Sequence, residues 1–366
     1  DYVTSQLLTD ETKLVNAIRN SVAEPWNCEL IWGCTRSLLD PGFQSSCLPR
    51  LEDGGTAVTS ATISLPFSTV NAFYTKNGLP VEQDANYYKD GMYFPVKYSK
   101  DNSEFTEHYD FDYNYRYVIE NETTAGMNFD REPRFYASVG FDRGVWYGNS
   151  YSDPAGDQSE SQAAYRYPRN RFGEFSSVWN STWYNVTGYW AKKLVALRSA
   201  FTGSDNVSFY SVPFPDMRYA DLLLMAAEAW NEAEETPNEK VYDYLDQVRE
   251  RAGLEGIKET YAKYASAQYK DYPSHKSQMR DIIHRERQVE LSCEGSYYWD
   301  TRRWKTAEKE LNRIVQGWNV LNGETAEDYY IPTNIYNQQF TLRDYFAPIP
   351  DGDIIRNPQL VQNPWW

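Results

Sequence analysis

The chain has 366 residues, a formal net charge of −16 at pH 7 and an isoelectric point near 4.8. This length is enough to bury a large core and predicts two or three domains. The negative charge excludes binding to nucleic-acid phosphates, which needs clustered Lys and Arg, and it disfavours adhesion to anionic lipid headgroups.

Aromatic residues are unusually frequent for so polar a chain. Twelve Trp, 31 Tyr and 16 Phe make up 16% of the residues, although the mean hydropathy is only −0.72. Tyr and Trp join an apolar ring to a polar edge, so they suit half-wet surfaces as well as cores. Sugars present flat C–H faces beside hydroxyls, and this composition therefore suits a carbohydrate site.

The cysteines leave two readings open. Cys28, Cys34, Cys47 and Cys293 do not form the CxxC pairs of a zinc site, so either a disulfide joins two of the first three or all are small buried thiols. No run of 18 apolar residues predicts a transmembrane helix. No signal peptide or lipidation cysteine stands at the start, so we expect a mature or truncated piece.

The first 210 residues predict an irregular region, because they are rich in Tyr, Asn, Gly, Ser and Pro. One helix is predicted at residues 10–19, with acidic residues in its first turn. The alternation at residues 61–65 indicates a short strand. Residues 76–80 indicate a turn in which Gly78 adopts a positive φ.

A helical pattern begins near residue 216. Asp216 is the predicted N-cap of a helix at residues 217–234, and a second helix at residues 239–252 ends at Gly253. The short loop between them predicts a tetratricopeptide-like helical hairpin. A third helix is predicted at residues 277–294.

These patterns together predict a mainly α protein: helical hairpins, a large irregular loop-rich region and a few short strands. Prolines in the last fifty residues favour extended, irregular structure there. We expect one compact unit whose parts are an aromatic-rich irregular region at residues 1–210, a helical scaffold at 211–310 and a C-terminal irregular segment at 311–366.

Several motifs occur in a fixed order along the chain. They are FYTKNGLP at 73–80, DREPRFY at 130–136, GYWAKK at 188–193, RYADLLLMAAEA at 218–229, LDQVRERAGL at 245–254, IIHRERQVELSCEG at 282–295, WDTRRW at 299–304, PIP at 348–350 and NPQLVQNP at 357–364.

In this order the motifs are similar to those of the SusD/RagB family of nutrient-capture lipoproteins, and they extend over about four-fifths of the chain. Tyr297 stands where the family often has Arg. Family members normally begin with a lipidated Cys and a stretch of N-terminal helices, which have no counterpart here.

The resemblance implies a SusD-like α–α superhelix that binds glycan at the cell surface of a Bacteroidetes outer membrane and catalyses no reaction. It implies delivery of the oligosaccharide to a TonB-dependent, SusC-like transporter, no cofactor or metal, and a membrane lipid anchor on a missing N-terminal segment. Capture of another nutrient such as peptide is one alternative. A helical-scaffold glycoside hydrolase is the other.

Aromatic residues in polar stretches are the candidate ligand-binding residues, because their rings can stack on sugars while neighbouring amides bond hydroxyls. For each of them the alternative is an aromatic residue of the core or a loop anchor. The candidates are Trp146, Tyr147, Trp179, Trp183 and Tyr184.

Glu286, Glu290 and Glu294 recur every four residues on one predicted helix, with many Arg residues on or beside neighbouring helices. Two of these carboxylates could serve as the acid and base of a hydrolase. The alternative, which we favour, is an Arg–Glu network that holds the helices together. No nucleophile elbow, HExxH or P-loop motif is present, and His284 is expected among charges rather than on a metal.

Overall fold

The computed structural model describes residues 9–35, 41–51, 59–148, 166–178, 180–201 and 207–366. Helices dominate these residues. They are α1 Asp10–Ala23, α2 Pro41–Cys47, α3 Phe67–Val70, α4 Ser103–His108, α5 Phe111–Asn114, α6 Pro133–Ser138, α7 Tyr219–Ala233, α8 Glu239–Arg251, α9 Ile257–Tyr264, α10 Lys276–Glu290, α11 Ser296–Arg303, α12 Ala307–Leu311, α13 Ala326–Tyr329 and α14 Asp351–Arg356.

The strands of the described residues pair two at a time, in antiparallel ladders. They are β1 Leu30–Cys34, β2 Pro95–Lys97, β3 Thr123–Ala125, β4 Val139–Phe141, β5 Tyr189–Ala191, β6 Ala200–Phe201, β7 Val207–Ser208, β8 Phe214–Arg218, β9 Arg313–Gly317 and β10 Thr333–Gln338. The ladders are β1–β8, β2–β3, β4–β5, β6–β7 and β9–β10. The fold is therefore mainly helical with few short strands, as the sequence predicts.

The first helix forms for local reasons. The Thr9 side chain accepts the N–H of Thr12, and two acidic residues occupy the first turn, where the helix dipole favours negative charge. Its apolar residues recur at helical spacing and face the core. The buried members are Val15, Ile18 and Val22. The helix predicted at residues 10–19 is confirmed and continues to Ala23.

The helical scaffold is built on the α7–α8 hairpin, against which α9 and α10 pack. Asn238 begins α8, where its side chain accepts the N–H groups of Lys240 and Val241. Gly253 follows the helix with a φ of 78°, a conformation that favours glycine. The predicted helical hairpin is confirmed. Its apolar core has fully buried Leu224, Leu245 and Ile283 at its centre.

Two predicted helices have different bounds in the structure. Residues 214–218 form β8 instead of a helix start, because they pair with β1, so Asp216 is not an N-cap and α7 begins at Tyr219. The predicted helix at 277–294 ends at Glu290, because Cys293 and Gly295 adopt φ values of 69° and 86°.

The predicted strand at residues 61–65 is wrong, because only Ser64 forms a β-bridge there, with Trp190. The turn at residues 76–80 is confirmed, and Gly78 has a φ of 79°.

A larger core unites the irregular half with the C-terminal segment. Trp318 is buried and lies edge-on against Phe67, with ring centroids 4.6 Å apart. Its backbone N–H donates to Thr187 at 3.0 Å, and a Cβ on neighbouring Gly317 would lie 2.4 Å from the Thr187 Cα. The segment is more regular than predicted, since β9 and β10 form a hairpin. The three-part division of the chain stays a prediction.

The cysteines and the membrane prediction can be compared directly with the structure. All four cysteine thiols are free, so the disulfide reading is wrong. Cys28 is exposed, and Cys47 is buried as the other reading expects. Within the described ranges, we find no helix long and apolar enough to cross a bilayer.

Candidate functional site

The structure places two of the aromatic candidates in the interior. Trp146 has no exposed surface, and a Cβ on Gly140 would lie 2.3 Å from its ring. The Lys192 ammonium lies 5.6 Å from the centroid of the same ring. Tyr147 is buried in a small cluster with Leu197. Neither ring can meet a ligand without opening of the fold. Trp146 and Tyr147 are therefore core residues, which is the alternative to ligand binding given above.

Trp183 lies instead on the surface, where 43% of its side chain is exposed. Asn180 fixes the loop, because its Oδ1 accepts the N–H groups of Thr182 and Trp183, both at 2.8 Å. Tyr184 is half-buried and packs against the larger core. Trp183 and Tyr184 are therefore adjacent on one loop, and Trp179 lies outside the described residues.

A buried asparagine anchors the end of this loop. The Asn185 amide nitrogen donates to the carbonyls of Ile63 at 3.2 Å and Tyr189 at 2.8 Å. Its Oδ1 accepts the N–H groups of Thr187 and Gly188, at 3.1 and 2.7 Å. The side-chain amides of Asn180 and Asn185, which we expected to bond sugar hydroxyls, thus make their hydrogen bonds to the protein itself. They hold the exposed indole in a defined position.

The loop at residues 180–185 can supply a stacking surface and has no evident means of chemistry. An exposed indole presents an apolar face, and its N–H can donate a hydrogen bond at the ring edge. The loop itself contains no carboxylate, histidine or cysteine. The described residues hold no group of His, Cys, Asp or Glu that could bind a metal ion.

The glutamates of α10 and its C-terminal turn form a buried ion-pair network. Arg134 contacts Glu286 at 2.5 Å and Glu290 at 3.3 Å, and all three side chains are at most 1% exposed. Arg218 contacts Glu290 at 3.1 Å and Glu294 at 2.7 Å. These five residues join α6, β8 and α10, so the network alternative is confirmed and the carboxylates are not open to a substrate.

The electrostatics of the network also argue against acid catalysis. Burial acts to raise the pKa of Glu290, but Arg251, Arg218 and other neighbouring cations outweigh it and hold that pKa well below its usual range. Burial likewise opposes ionisation of Glu294, whose pKa is nevertheless lowered by Arg218 and Lys193. A general acid needs a raised pKa, so neither carboxyl fits that role.

His284 is also held by neighbouring side chains. Its ring stacks on Trp304, with centroids 3.5 Å apart and an interplanar angle of 13°. Its Nε2 lies 4.0 Å from the Glu228 carboxylate. Burial lowers the pKa of His284 to about 4, and the attraction of Glu228 only partly opposes this. The imidazole is therefore neutral at pH 7 in the folded protein.

Replacing His284 should flatten the pH dependence of stability. The unfolded histidine takes up a proton near pH 6.5, whereas the folded one does so near pH 4, so stability falls as the pH drops between these values. Near pH 5.5 we expect unfolding of His284→Gln to take up about 0.9 fewer protons than unfolding of the wild type. Urea unfolding from pH 7 to 5 measures this. Exposed His275→Gln is the control, and equal slopes in wild type and His284→Gln would contradict the expectation.

A concave surface that the sequence analysis missed lies on the outer side of α10. It is a groove of about 510 Å³, which we call the α10 groove. Gln278, Asp281, Arg285 and Gln288 of α10 line it at helical spacing, on the side opposite the buried glutamates. That polar spacing was a usable signal. The other walls come from distant segments that no local pattern connects.

Comparison with known proteins gives the chain a family. The family model described as the SusD family matches residues 41–366. The SusD-like protein P2 of Formosa agariphila is 29% identical over 197 residues, which are 54% of this chain and 33% of that protein. The solved structure of BT4246, as the selenomethionine protein, is similar with 25% identity and a TM-score of 0.75. The match covers 98% of this chain and 56% of that one.

A second solved structure supports the fold alone. It is a SusD-like protein, BF3747, from Bacteroides fragilis NCTC 9343, with 18% identity and a TM-score of 0.64, covering 93% of this chain and 55% of that one. This chain thus spans about a third of its curated relative and about half of the solved proteins it matches. The family match extends over most of the chain. The protein therefore belongs to the SusD family.

Proposed function

We propose that the protein captures glycan at the cell surface without catalysis and passes it to a TonB-dependent outer-membrane transporter. SusD family proteins are in general non-catalytic carbohydrate-binding proteins associated with the cell surface or outer membrane. Only the family resemblance supports lipid anchoring and the contact with a SusC-like transporter. Glycan binding is supported by the family resemblance and also by a feature of this chain.

That feature is the exposed Trp183 ring on a loop fixed from within. The indole is 43% exposed, and its open face can stack on a sugar ring while its N–H donates a hydrogen bond at the ring edge. Because Asn180 and Asn185 already hold the loop, little conformational freedom is lost on binding. Tyr184, the next residue, is half-buried and packs against the larger core. We assign the 180–184 loop as a glycan platform.

The charge of the protein narrows the class of glycan that we expect it to bind. A net charge of −16 repels sulfated or uronic-acid polymers through long-range electrostatics. The platform itself carries no Lys or Arg to attract them. A neutral polysaccharide meets neither obstacle. We therefore expect neutral glycans to bind more tightly than polyanionic ones.

Removing the platform ring should weaken glycan binding. In Trp183→Ala we expect at least about a tenfold loss of affinity, the scale of one aromatic stacking contact together with its buried area. Affinity electrophoresis against starch, laminarin, xyloglucan, galactan and chondroitin sulfate measures it. Trp32→Ala is the matched control, since Trp32 on β1 is 70% exposed and far along the chain from the platform.

Two results would contradict the proposal. One is the absence of retardation of the wild type on any of these polysaccharides. The other is equal retardation of wild type and Trp183→Ala, which would remove the platform from binding. Steady release of reducing ends from a bound glycan would refute the non-catalytic part and favour a glycoside hydrolase.

A further inference from the structure

We propose that the α10 groove is a second site, which binds a neutral oligosaccharide independently of the Trp183 platform. The groove has a volume of about 510 Å³, within the usual range for small-ligand sites. It lies on the helical scaffold, whereas the platform packs on the larger core. The inference goes beyond the proposed function, because capture at Trp183 needs no second site.

The floor of the groove rests on two buried aromatic side chains. Tyr74 and Tyr261 are 2% and 1% exposed, so they support the floor from beneath and do not themselves offer stacking faces. The Tyr261 hydroxyl donates to the Gln83 Oε1 at 2.7 Å, which fixes the amide of Gln83 at the groove edge. Pro80, also in the lining, is buried beside them. A ligand would therefore meet a surface that does not need to reorganise.

The sides present half-buried tyrosine rings. Tyr269 and Tyr272 pack edge to face, with centroids 5.0 Å apart and an interplanar angle of 84°. Both rest partly on the helical core. From the other side, the Tyr297 hydroxyl donates to Glu310 at 3.4 Å. Rings held by packing while part of their surface stays open provide stacking faces for sugar rings.

The polar groups of the groove suit hydroxyls. Gln288 lines the groove and is half-buried. A half-buried amide can donate and accept, and hydroxyls do the same. Asp281 and Glu310 add acceptors, and Lys309 adds a donor. Such alternation of donors and acceptors satisfies a polyol without requiring a charged ligand.

The composition of the groove argues against the other ligand classes. The groove lining carries Glu82, Asp281 and Glu310 against the cations Arg285 and Lys309, so a polyanion would meet a lining of net negative charge on a protein of net charge −16. A peptide bound by strand addition needs an open strand edge, but the described walls are helices and loops, and the bridge of Asp84 to Ala265 already pairs nearby backbone. A neutral, hydroxyl-rich oligosaccharide fits both observations.

The test uses the whole chain and labelled hexasaccharides. Fluorescein-labelled malto-, cello-, xylo-, laminari- and mannohexaose, with chondroitin sulfate hexasaccharide as the polyanion, are titrated into wild type and Trp183→Ala. We expect Trp183→Ala to keep measurable affinity for at least one neutral probe. Adding Tyr297→Ala and Gln288→Ala should weaken that binding by at least about tenfold, whereas Tyr297→Phe should retain it because the ring remains.

The controls separate this inference from the platform proposal. Tyr336→Ala, on β10 and 55% exposed, is the matched control outside the groove, and cooperative urea unfolding shows that each variant is folded. The second site would be overturned if Trp183→Ala bound no neutral probe. It would also be overturned if the groove substitutions left the affinity of Trp183→Ala for that probe unchanged. Preference for the sulfated probe would overturn its ligand class. A different outcome would refute the platform alone. In it, the groove substitutions weaken binding of the neutral probe, while Trp183→Ala by itself binds the probe as tightly as the wild type does.

Discussion

Substituting Arg134 by Met is expected to lower the free energy of unfolding by about 3–5 kcal/mol, the usual cost of removing one partner of a buried ion pair. Arg134 is 1% exposed and contacts Glu132, Glu286 and Glu290. Glu286 keeps Arg249 and Glu290 keeps Arg218, but Glu132 loses its sole ion-pair partner among the described residues. Urea unfolding at pH 7, followed by circular dichroism, measures the loss.

The same variant should recover part of its stability in mild acid. Burial raises the pKa of Glu132, with Arg134 opposing it, so removing Arg134 raises that pKa further. Protonation of the buried carboxyl then removes an unpaired charge, and the difference from wild type should shrink from pH 7 to pH 5.

An exposed ion pair is the matched control for this network. Arg280 makes a two-bond contact with Glu232 at 2.6 Å for both bonds, with side chains 39% and 41% exposed. Arg280→Met should therefore cost less than about 1 kcal/mol. Equal losses in Arg134→Met and Arg280→Met would show that burial adds nothing to the network.

Replacing Trp318 by Ala should destabilise the protein by about 3–5 kcal/mol, as for other buried aromatic residues. Trp318 is 1% exposed and meets Phe67, Tyr330 and Tyr189 with ring centroids 4.6, 5.2 and 6.3 Å away. Removing the indole leaves a cavity where the C-terminal segment enters the larger core. Thermal and urea unfolding measure the effect.

Trp299 provides the comparison for Trp318, because it is the same residue type on a helix surface. It is 68% exposed in α11, and Trp299→Ala should change the free energy of unfolding by no more than about 0.5 kcal/mol. A loss in Trp318→Ala no larger than that of Trp299→Ala would mean that the C-terminal segment is dispensable to the core.

The helical scaffold could be predicted from sequence because its signals are local. Val241, Leu245 and Val248 recur at helical spacing and are all buried in the structure. Asn238 and Gly253 mark the two ends of α8 within a few residues of that pattern. Everything needed to predict this helix lies within about one helix length of it.

The start of α7 could not be predicted in the same way. Asp216 precedes an apolar helical pattern and has the chemistry of an N-cap. The residues around it form β8 because β1 lies alongside, with Leu30 paired to Arg218. A partner so distant in the chain leaves no local trace, and tertiary pairing overrode the local preference.

Aromatic residues show the same limit at the candidate site. Trp146 and Trp183 each precede a Tyr and lie within three residues of an Asn, yet one is fully buried and the other 43% exposed. Lys192 and Gly140 pack on Trp146 inside the fold, whereas Trp183 lies on a surface loop whose backbone is held by Asn180. Composition found the exposed ring but could not separate it from the buried one, and it could not assemble the α10 groove.

The placement of Trp318 and Tyr330 within the larger core also bears on how the polypeptide acquires its structure. Residues as distant in the chain as Val15 and Tyr330 must meet before that core is filled, and such distant contacts form slowly. Until the segment that carries Trp318 has been synthesised, Phe67 and its aromatic neighbours remain open to water and to other chains. Synthesis that stops before Trp318 should thus give aggregation-prone products, and holding chaperones would protect the nascent protein until Trp318 and Tyr330 emerge.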